Sequence, residues 1–393
     1  MGLNDTPSSE RIHIAFFGVR NAGKSSLVNR LTGQEMSLVS SVKGTTTDPV
    51  TKSMELSKAG PVLIIDTPGI DDSGELGEKR AGKTRRVLGK ADIAVLVTEC
   101  GRSMNPAETE LADLIRDRNI PSITVRTKAD LYEEDPEGDP DSIRVSSKTG
   151  MNMEKLKEAL TGLALKNEGN EKHLVSDLLK SGDQVILVVP IDESAPKGRL
   201  ILPQQQTIRD ILEAGCSAVV CRDTELKAVL EKTKAPRMVI TDSQVYGKVS
   251  KIVPEEIPLT SFSILFARYK GELEILRKGA ERLSSLKDGD RVLIAEGCTH
   301  HRQCNDIGSV KIPGWIREYS GAEPEFDFCS GGSFPEELSP YSLIIHCGGC
   351  MLNGAEMRYR IAKASEALVP IVNYGMAIAQ MNGILERCMM ALG

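Results

Sequence analysis

Aromatic residues make up only 4% of this 393-residue chain, with a single tryptophan, so few flat side chains are available as stacking platforms for unpaired bases. Positive charge is not in excess either. Lys and Arg total 49 against 55 Asp and Glu, a net charge of -6, which argues against broad electrostatic binding of nucleic acid. No run of 18 or more apolar residues occurs, so no membrane span is expected. The first residues, MGLNDTPSSE, are polar and lack the apolar core of a signal peptide. Nine cysteines, an odd number, without such a leader fit a reducing, cytoplasmic setting in which thiols stay free or bind metal. Hydrophobic content of 40% and charged content of 26% predict packed globular domains, two to four of them at this length.

The cysteines are not spread evenly. Cys298, Cys304, Cys329, Cys347 and Cys350 fall in one 53-residue window together with His300, His301 and His346. Cys298-Thr-His300-His301 follows the apolar run 291–295, and His346-Cys347-Gly-Gly-Cys350 follows the run 342–345. Short β-branched runs of this kind read as buried strands, and ligands just past the carboxyl ends of parallel strands can converge on one crevice. The pattern predicts a soft-metal site. By spacing, a structural zinc site of Cys₃His type stands slightly ahead of a three-thiolate iron–sulfur cluster with an open fourth position.

The N-terminal third carries a different chemistry. The apolar segment 12–17 reads as a strand, and Gly18-Val-Arg-Asn21-Ala22-Gly23-Lys24-Ser25-Ser26 follows it and opens a helix. That is a phosphate-binding loop in its required context. Its backbone N–H groups wrap phosphates, Lys24 reaches the β- and γ-phosphates, and Ser25 holds Mg²⁺. Gly44-Thr-Thr46-Thr-Asp lies where a first switch belongs, with Thr46 chosen to complete the Mg²⁺ shell. Asp66-Thr-Pro-Gly69 ends a further strand: Asp66 orients a Mg²⁺-bound water and the Gly69 N–H meets the γ-phosphate. Thr127-Lys128-Ala-Asp130 supplies a carboxylate able to accept from N1–H and the 2-amino group of guanine, which selects GTP over ATP. Val145-Ser146-Ser147-Lys148 fits the last base-contacting loop. Five short motifs in the right order, each after a strand, predict a GTPase domain with Lys24, Thr46, Asp66 and Gly69 as its catalytic group.

The predicted fold is α/β: a P-loop GTPase domain over 1–168, then two α/β domains with mainly parallel sheets over 172–260 and 261–393. A polar, glycine-containing linker at 167–171 sets the first boundary. Strands are expected at 120–125, 185–190, 217–220, 238–241, 291–295, 325–328, 342–345 and 368–372, with one packing helix over 261–285. A small middle sheet should leave an edge that a second chain can pair.

Residues 11–165 resemble GTPases of the Era and MnmE kind, through GVRNAGKSS and GTTTD. The resemblance implies a K⁺ ion held by Asn21 beside the phosphates and, with Ile70 where Ras-like proteins carry a water-orienting glutamine, slow intrinsic hydrolysis. C-x-H, a 45-residue gap and H-C-x-x-C behind a P-loop GTPase, with the local texts CTHHRQCNDIG and HCGGCMLNGAEM, resembles the [FeFe]-hydrogenase maturation GTPases of the HydF family over essentially the whole chain. That resemblance implies a [4Fe–4S] cluster on Cys298, Cys347 and Cys350, with His300 and His346 beside it as candidate further ligands. It implies a homodimeric carrier of the two-iron hydrogenase precursor, serving radical-SAM maturases and apo-[FeFe]-hydrogenase. An RNA- or ribosome-associated GTPase with a structural zinc domain is the alternative that the N-terminal third allows.

Overall fold

The computed structural model describes residues 7–33, 49–70, 75–135, 139–168, 173–191, 200–297 and 306–392. The chain divides into two compact units at residues 171 and 172. Among the described residues no helix is long and apolar enough to cross a membrane.

The first unit is built on strands β1 (Ile12–Phe17), β2 (Val50–Leu56), β3 (Gly60–Asp66), β4 (Ile93–Glu99), β5 (Ser122–Thr127) and β6 (Ile143–Arg144), in the order β2-β3-β1-β4-β5-β6. All neighbours are parallel except β2, which runs antiparallel to β3. The central strands read as continuous apolar runs because both of their faces are covered. Alternation along β1 sends Ile14 and Phe16 into one core and Ala15 and Phe17 into the other. The helix Pro106–Asp117 starts on a reciprocal cap between Asn105 and Glu108.

The second unit holds two four-stranded sheets. The first contains β7 (Gln184–Val188), β8 (Ser217–Cys221), β9 (Met238–Thr241) and β10 (Leu259–Ser261), in the order β10-β9-β7-β8. The second contains β11 (Arg291–Glu296), β12 (Glu325–Ser330), β13 (Leu343–His346) and β14 (Ile371–Asn373), in the order β12-β11-β13-β14. Every pair in both is parallel, as the sequence predicts. One apolar core runs from Val185 and Ile240 through Phe262 and Phe266 to Ile294 and Ile345.

Three local expectations are corrected. The packing helix predicted over 261–285 is broken at Gly271 into Phe262–Lys270 and Leu273–Glu281, followed by a short 3-10 turn. Gly271 is extended there (φ -128°, ψ -159°). The last strand starts at Ile371 rather than at 368, because Leu368 sits at φ +56° in a turn, 90% exposed. β5 lies two residues later than the apolar run 120–125 suggests.

Candidate functional site

The glycine loop after β1 is dictated by space. Gly18 has φ +150°, and a Cβ on it would lie 2.2 Å from the Val97 carbonyl oxygen. Gly23, at φ +89°, caps the helix Lys24–Thr32. The loop and the helix N-terminus therefore present backbone N–H groups to an anion. Asn21 sits in the loop at φ +58°. Lys24 is buried, and its Nζ donates to the carbonyls of Gly18 at 2.8 Å and Val19 at 2.7 Å. Ser25 Oγ donates to Asp66 Oδ2 at 2.6 Å. Asp66 Oδ1 is buried without a hydrogen-bond partner, and burial raises the pKa of this carboxyl, with Ser25 and Lys24 opposing. A buried acceptor left unpaired costs about 1–3 kcal/mol. A divalent cation with its water shell at Ser25 and Asp66 would remove that cost, so these residues fit Mg²⁺. Gly69 packs so tightly on the loop that a Cβ there would lie 2.4 Å from Arg20 Cγ.

On the base side, Gly23, Ser26, Lys128, Asp130, Ser147 and Lys148 line one cavity of about 860 Å³. Thr127 Oγ1 lies 2.6 Å from the Ala22 carbonyl and 2.9 Å from that of Thr98, tying β5 to the phosphate loop and to β4. Lys128 takes φ +59°, and its Nζ is 2.9 Å from Glu99 Oε1. Asp130 is exposed in the cavity, and Oδ1 accepts from the buried Ser146 hydroxyl at 2.6 Å, which holds its pKa below the usual carboxylate range.

Behind this wall lies a pair that sequence reading missed. Arg126 donates to both oxygens of Asp135 at 2.7 Å, with both side chains buried. Asp135 also accepts from the Gly101 N–H at 2.9 Å, and Arg126 draws its pKa down to about 2. Asp135 belongs to an acidic stretch, EEDPEGD, and nothing in the sequence separates it from its solvated neighbours.

In the second unit, Ala295 of β11 stands in register with His346 on one side and Cys329 on the other. The Gly297 N–H donates to Cys347 Sγ at 3.0 Å, and the Gly349 N–H reaches the same sulfur at 3.4 Å. The residue preceding Cys298 thus touches the H-C-x-x-C loop. Gly349 has φ +62°, and a Cβ on it would lie 2.7 Å from Met357 Sδ, so only glycine closes this turn without strain. Lys270 is buried beneath the turn and donates to the carbonyls of Gly349, Cys350 and Leu352. Burial pushes the Cys350 thiol up, and Lys270 opposes that shift. Cys329 is buried at the end of β12 and pushed up to about 11.

His346 is fully buried, with Nε2 2.9 Å from Arg360 Nη1 and Nδ1 2.8 Å from the Cys347 carbonyl. A guanidinium only donates, so Nε2 accepts and Nδ1–H donates to the carbonyl. Burial and the neighbouring guanidinium depress its pKa to about 3. Both ring nitrogens are engaged, and a metal bond from His346 would displace one of them. Arg360 also pairs with Glu356 at 2.7 Å and donates to the Gly331 carbonyl at 2.6 Å. Among the described residues, no group of three or more His, Cys, Asp or Glu is arranged to hold a metal ion. Thr46, Cys298, His300, His301 and Cys304 lie outside the described residues. Donor chemistry still fits a thiolate-bound group: two cysteines share one turn, and two backbone N–H groups aim at one sulfur, the kind of outer hydrogen bond that tunes thiolate ligands.

Three family models match the chain in succession. Residues 13–128 match the 50S ribosome-binding GTPase model, 174–271 the hydrogen maturase F dimerization domain, and 274–391 the hydrogen maturase F tetramerization domain. The dimerization match supports a dimeric assembly. Among curated proteins, the chain is 40% identical over 132 residues to GTPase Der of Wolinella succinogenes, covering 33% of this chain and 27% of that protein. It is 30% identical over 179 residues to tRNA modification GTPase MnmE of Acetivibrio thermocellus, covering 43% of this chain and 38% of that protein. The chain therefore spans well under half the length of either relative. A solved structure of a probable GTP-binding protein engB is similar at 23% identity and a TM-score of 0.32, covering 39% of this chain and 99% of that one.

Proposed function

The chain belongs to the HydF-like maturation GTPases, and from that we propose that it is a GTP-hydrolysing scaffold that carries an iron–sulfur cluster for [FeFe]-hydrogenase active-site assembly. In the first unit, loop N–H groups and the helix N-terminus bind the phosphates of GTP. Lys24 exchanges its two loop carbonyls for phosphate oxygens, and Asp130 reads the guanine edge. Ser25, Asp66 and Thr46 hold Mg²⁺, and Asn21 holds K⁺; these cations supply positive charge beside the transferring phosphoryl group. Gly69 N–H meets the γ-phosphate, and water attacks phosphorus as the bond to the bridging oxygen of GDP breaks.

In the second unit, Cys298, Cys347 and Cys350 are the thiolate ligands of a [4Fe–4S] cluster, with His300 and His346 beside them. When bound, the cluster supplies an iron whose fourth position exchanges ligands, which suits reversible carriage of the two-iron precursor. Gly297 and Gly349 stabilise the Cys347 thiolate through their N–H groups, and His346 and Lys270 hold the turn from beneath. The chain works as a homodimer, receiving material from radical-SAM maturases and delivering it to apo-[FeFe]-hydrogenase.

The observation that carries this reading is the 3.0 Å bond from Gly297 N–H to Cys347 Sγ, which ties the residue before Cys298 to the H-C-x-x-C turn. Anaerobic reconstitution should yield a brown protein with about four irons per chain and an EPR signal on reduction. Cys350→Ala should lose it, while Lys24→Ala should lose GTP turnover and keep it. A colourless protein that takes one zinc and rejects iron would overturn the reading. The second reading, a ribosome-associated GTPase with a zinc domain, is favoured only by the description of the model matching 13–128. RNA-stimulated GTP hydrolysis would support it.

A further inference from the structure

The helix Phe262–Lys270 leaves the first sheet of the second unit at β10 and ends on a lysine that is only 4% exposed. Its ammonium has three protons and meets three carbonyls of one turn: Leu352 at 2.7 Å, Gly349 at 3.1 Å and Cys350 at 3.3 Å. The Phe266 ring lies 5.3 Å from the same nitrogen. A lysine at a helix C-terminus ordinarily extends into water, where its charge is solvated at no cost. Burying it is expensive unless each donor is satisfied, and an apolar side chain would end the helix equally well. The turn it holds is the H-C-x-x-C turn, which belongs to the second sheet.

We propose that Lys270 is the positioning residue of the thiolate turn: it fixes the backbone from Gly349 to Leu352 and places its ammonium charge beside Cys350. The charge half of this rests on Cys347 and Cys350 being cluster ligands; the backbone half does not. Two amides report the backbone half directly. The Leu352 N–H donates to the Gly349 carbonyl at 3.1 Å and the Gly349 N–H to Cys347 Sγ at 3.4 Å, and both depend on the shape of the turn. The charge half is read by a potential. A cluster gains negative charge on reduction, so a fixed cation beside a ligand favours the reduced form.

The test compares the full-length chain with Lys270→Met and Lys270→Gln. In iron-free protein, hydrogen exchange at Gly349 and Leu352 should quicken by about tenfold in Lys270→Met, the loss of roughly one net hydrogen bond. Lys270→Gln keeps two N–H donors and should show a smaller change. After anaerobic reconstitution at equal iron content, both variants should titrate at a more negative midpoint potential than wild type, because both lack the charge. Unchanged exchange at these amides together with an unchanged potential overturns the proposal. If Lys270→Met exchanges rapidly throughout 172–393 it has lost its fold, and Lys270→Gln decides by the same two readouts. If wild type takes up no iron, the cluster reading fails, and the exchange measurement alone upholds or overturns the role of Lys270.

Discussion

Asp130 is oriented by one hydroxyl. Ser146 is buried, and its Oγ donates to Asp130 Oδ1 at 2.6 Å, which lowers the pKa of the carboxyl while its face stays open to the cavity. An ionised carboxylate accepts from two guanine N–H groups; an amide would set its own N–H against one of them. Asp130→Asn should therefore weaken GTP binding by about ten- to a hundredfold, the 1.5–3 kcal/mol of a charged hydrogen bond. Xanthosine triphosphate, with a carbonyl where guanine carries its amino group, should gain relative to GTP, and calorimetric titration of both nucleotides checks this. His346 makes the converse point, since its surroundings refuse charge. Its folded pKa of about 3 lies below the ordinary imidazole value of 6.5. Between those values the unfolded chain binds a proton that the folded chain does not. The stability due to neutral His346 is thus complete above pH 6.5 and is lost as pH falls towards 3, by up to about 1.4 kcal/mol per unit. Urea unfolding of the chain at pH 7 and pH 5 should show this slope, and His346→Gln should flatten it.

At the scale of elements, β5 depends on a clip that no local pattern announces. Arg126, inside the strand, and Asp135, beyond it, are side chains only 1% and 2% exposed. Arg126→Met leaves the Asp135 carboxylate buried without its partner and should cost about 3–5 kcal/mol in denaturant unfolding. Because Thr127 and Lys128 follow directly, GTP affinity should fall with it. The strands that could be read were those whose signal is local: β1, β4 and β9 are dominated by apolar residues, and β9 falls at 238–241 as expected. β2, reading VTKSMEL, alternates as an edge strand and escaped notice, and β10 has only three residues. The helix break at Gly271 was hidden because apolar spacing continues on both sides of it. The phosphate loop, TKAD and H-C-x-x-C were visible for the same local reason. What shapes them was not: Lys270 meets carbonyls 79, 80 and 82 residues away, and Arg360 meets the Gly331 carbonyl 29 residues back. Such partners become neighbours only once the parallel sheets are assembled.

At the scale of the whole molecule, the sheet edges bear on how chains associate. Among the described residues, β8 and β12 are outer strands of the two four-stranded sheets of the second unit. They differ in chemistry. β12 reads EFDFCS, and Asp327 is engaged at 2.5 Å by Arg291 of the neighbouring β11. Acidic residues on an edge discourage pairing with another copy. β8 reads SAVVC, without charge or proline, and Val220 at its outer end is 45% exposed. Among the described residues no strand pairs with its outer side, and an uncharged, β-branched edge of this kind is a template for a second strand. A dimer formed by β8 pairing with its counterpart in a second copy is therefore the expected outcome, within the segment matched by the dimerization domain. Val220 stands opposite Leu187 of β7. Val220→Lys introduces the kind of charge by which natural edges block association, and it should shift the chain from dimer towards monomer in sedimentation velocity at micromolar concentration. An unchanged sedimentation coefficient would place the dimer contact away from this edge.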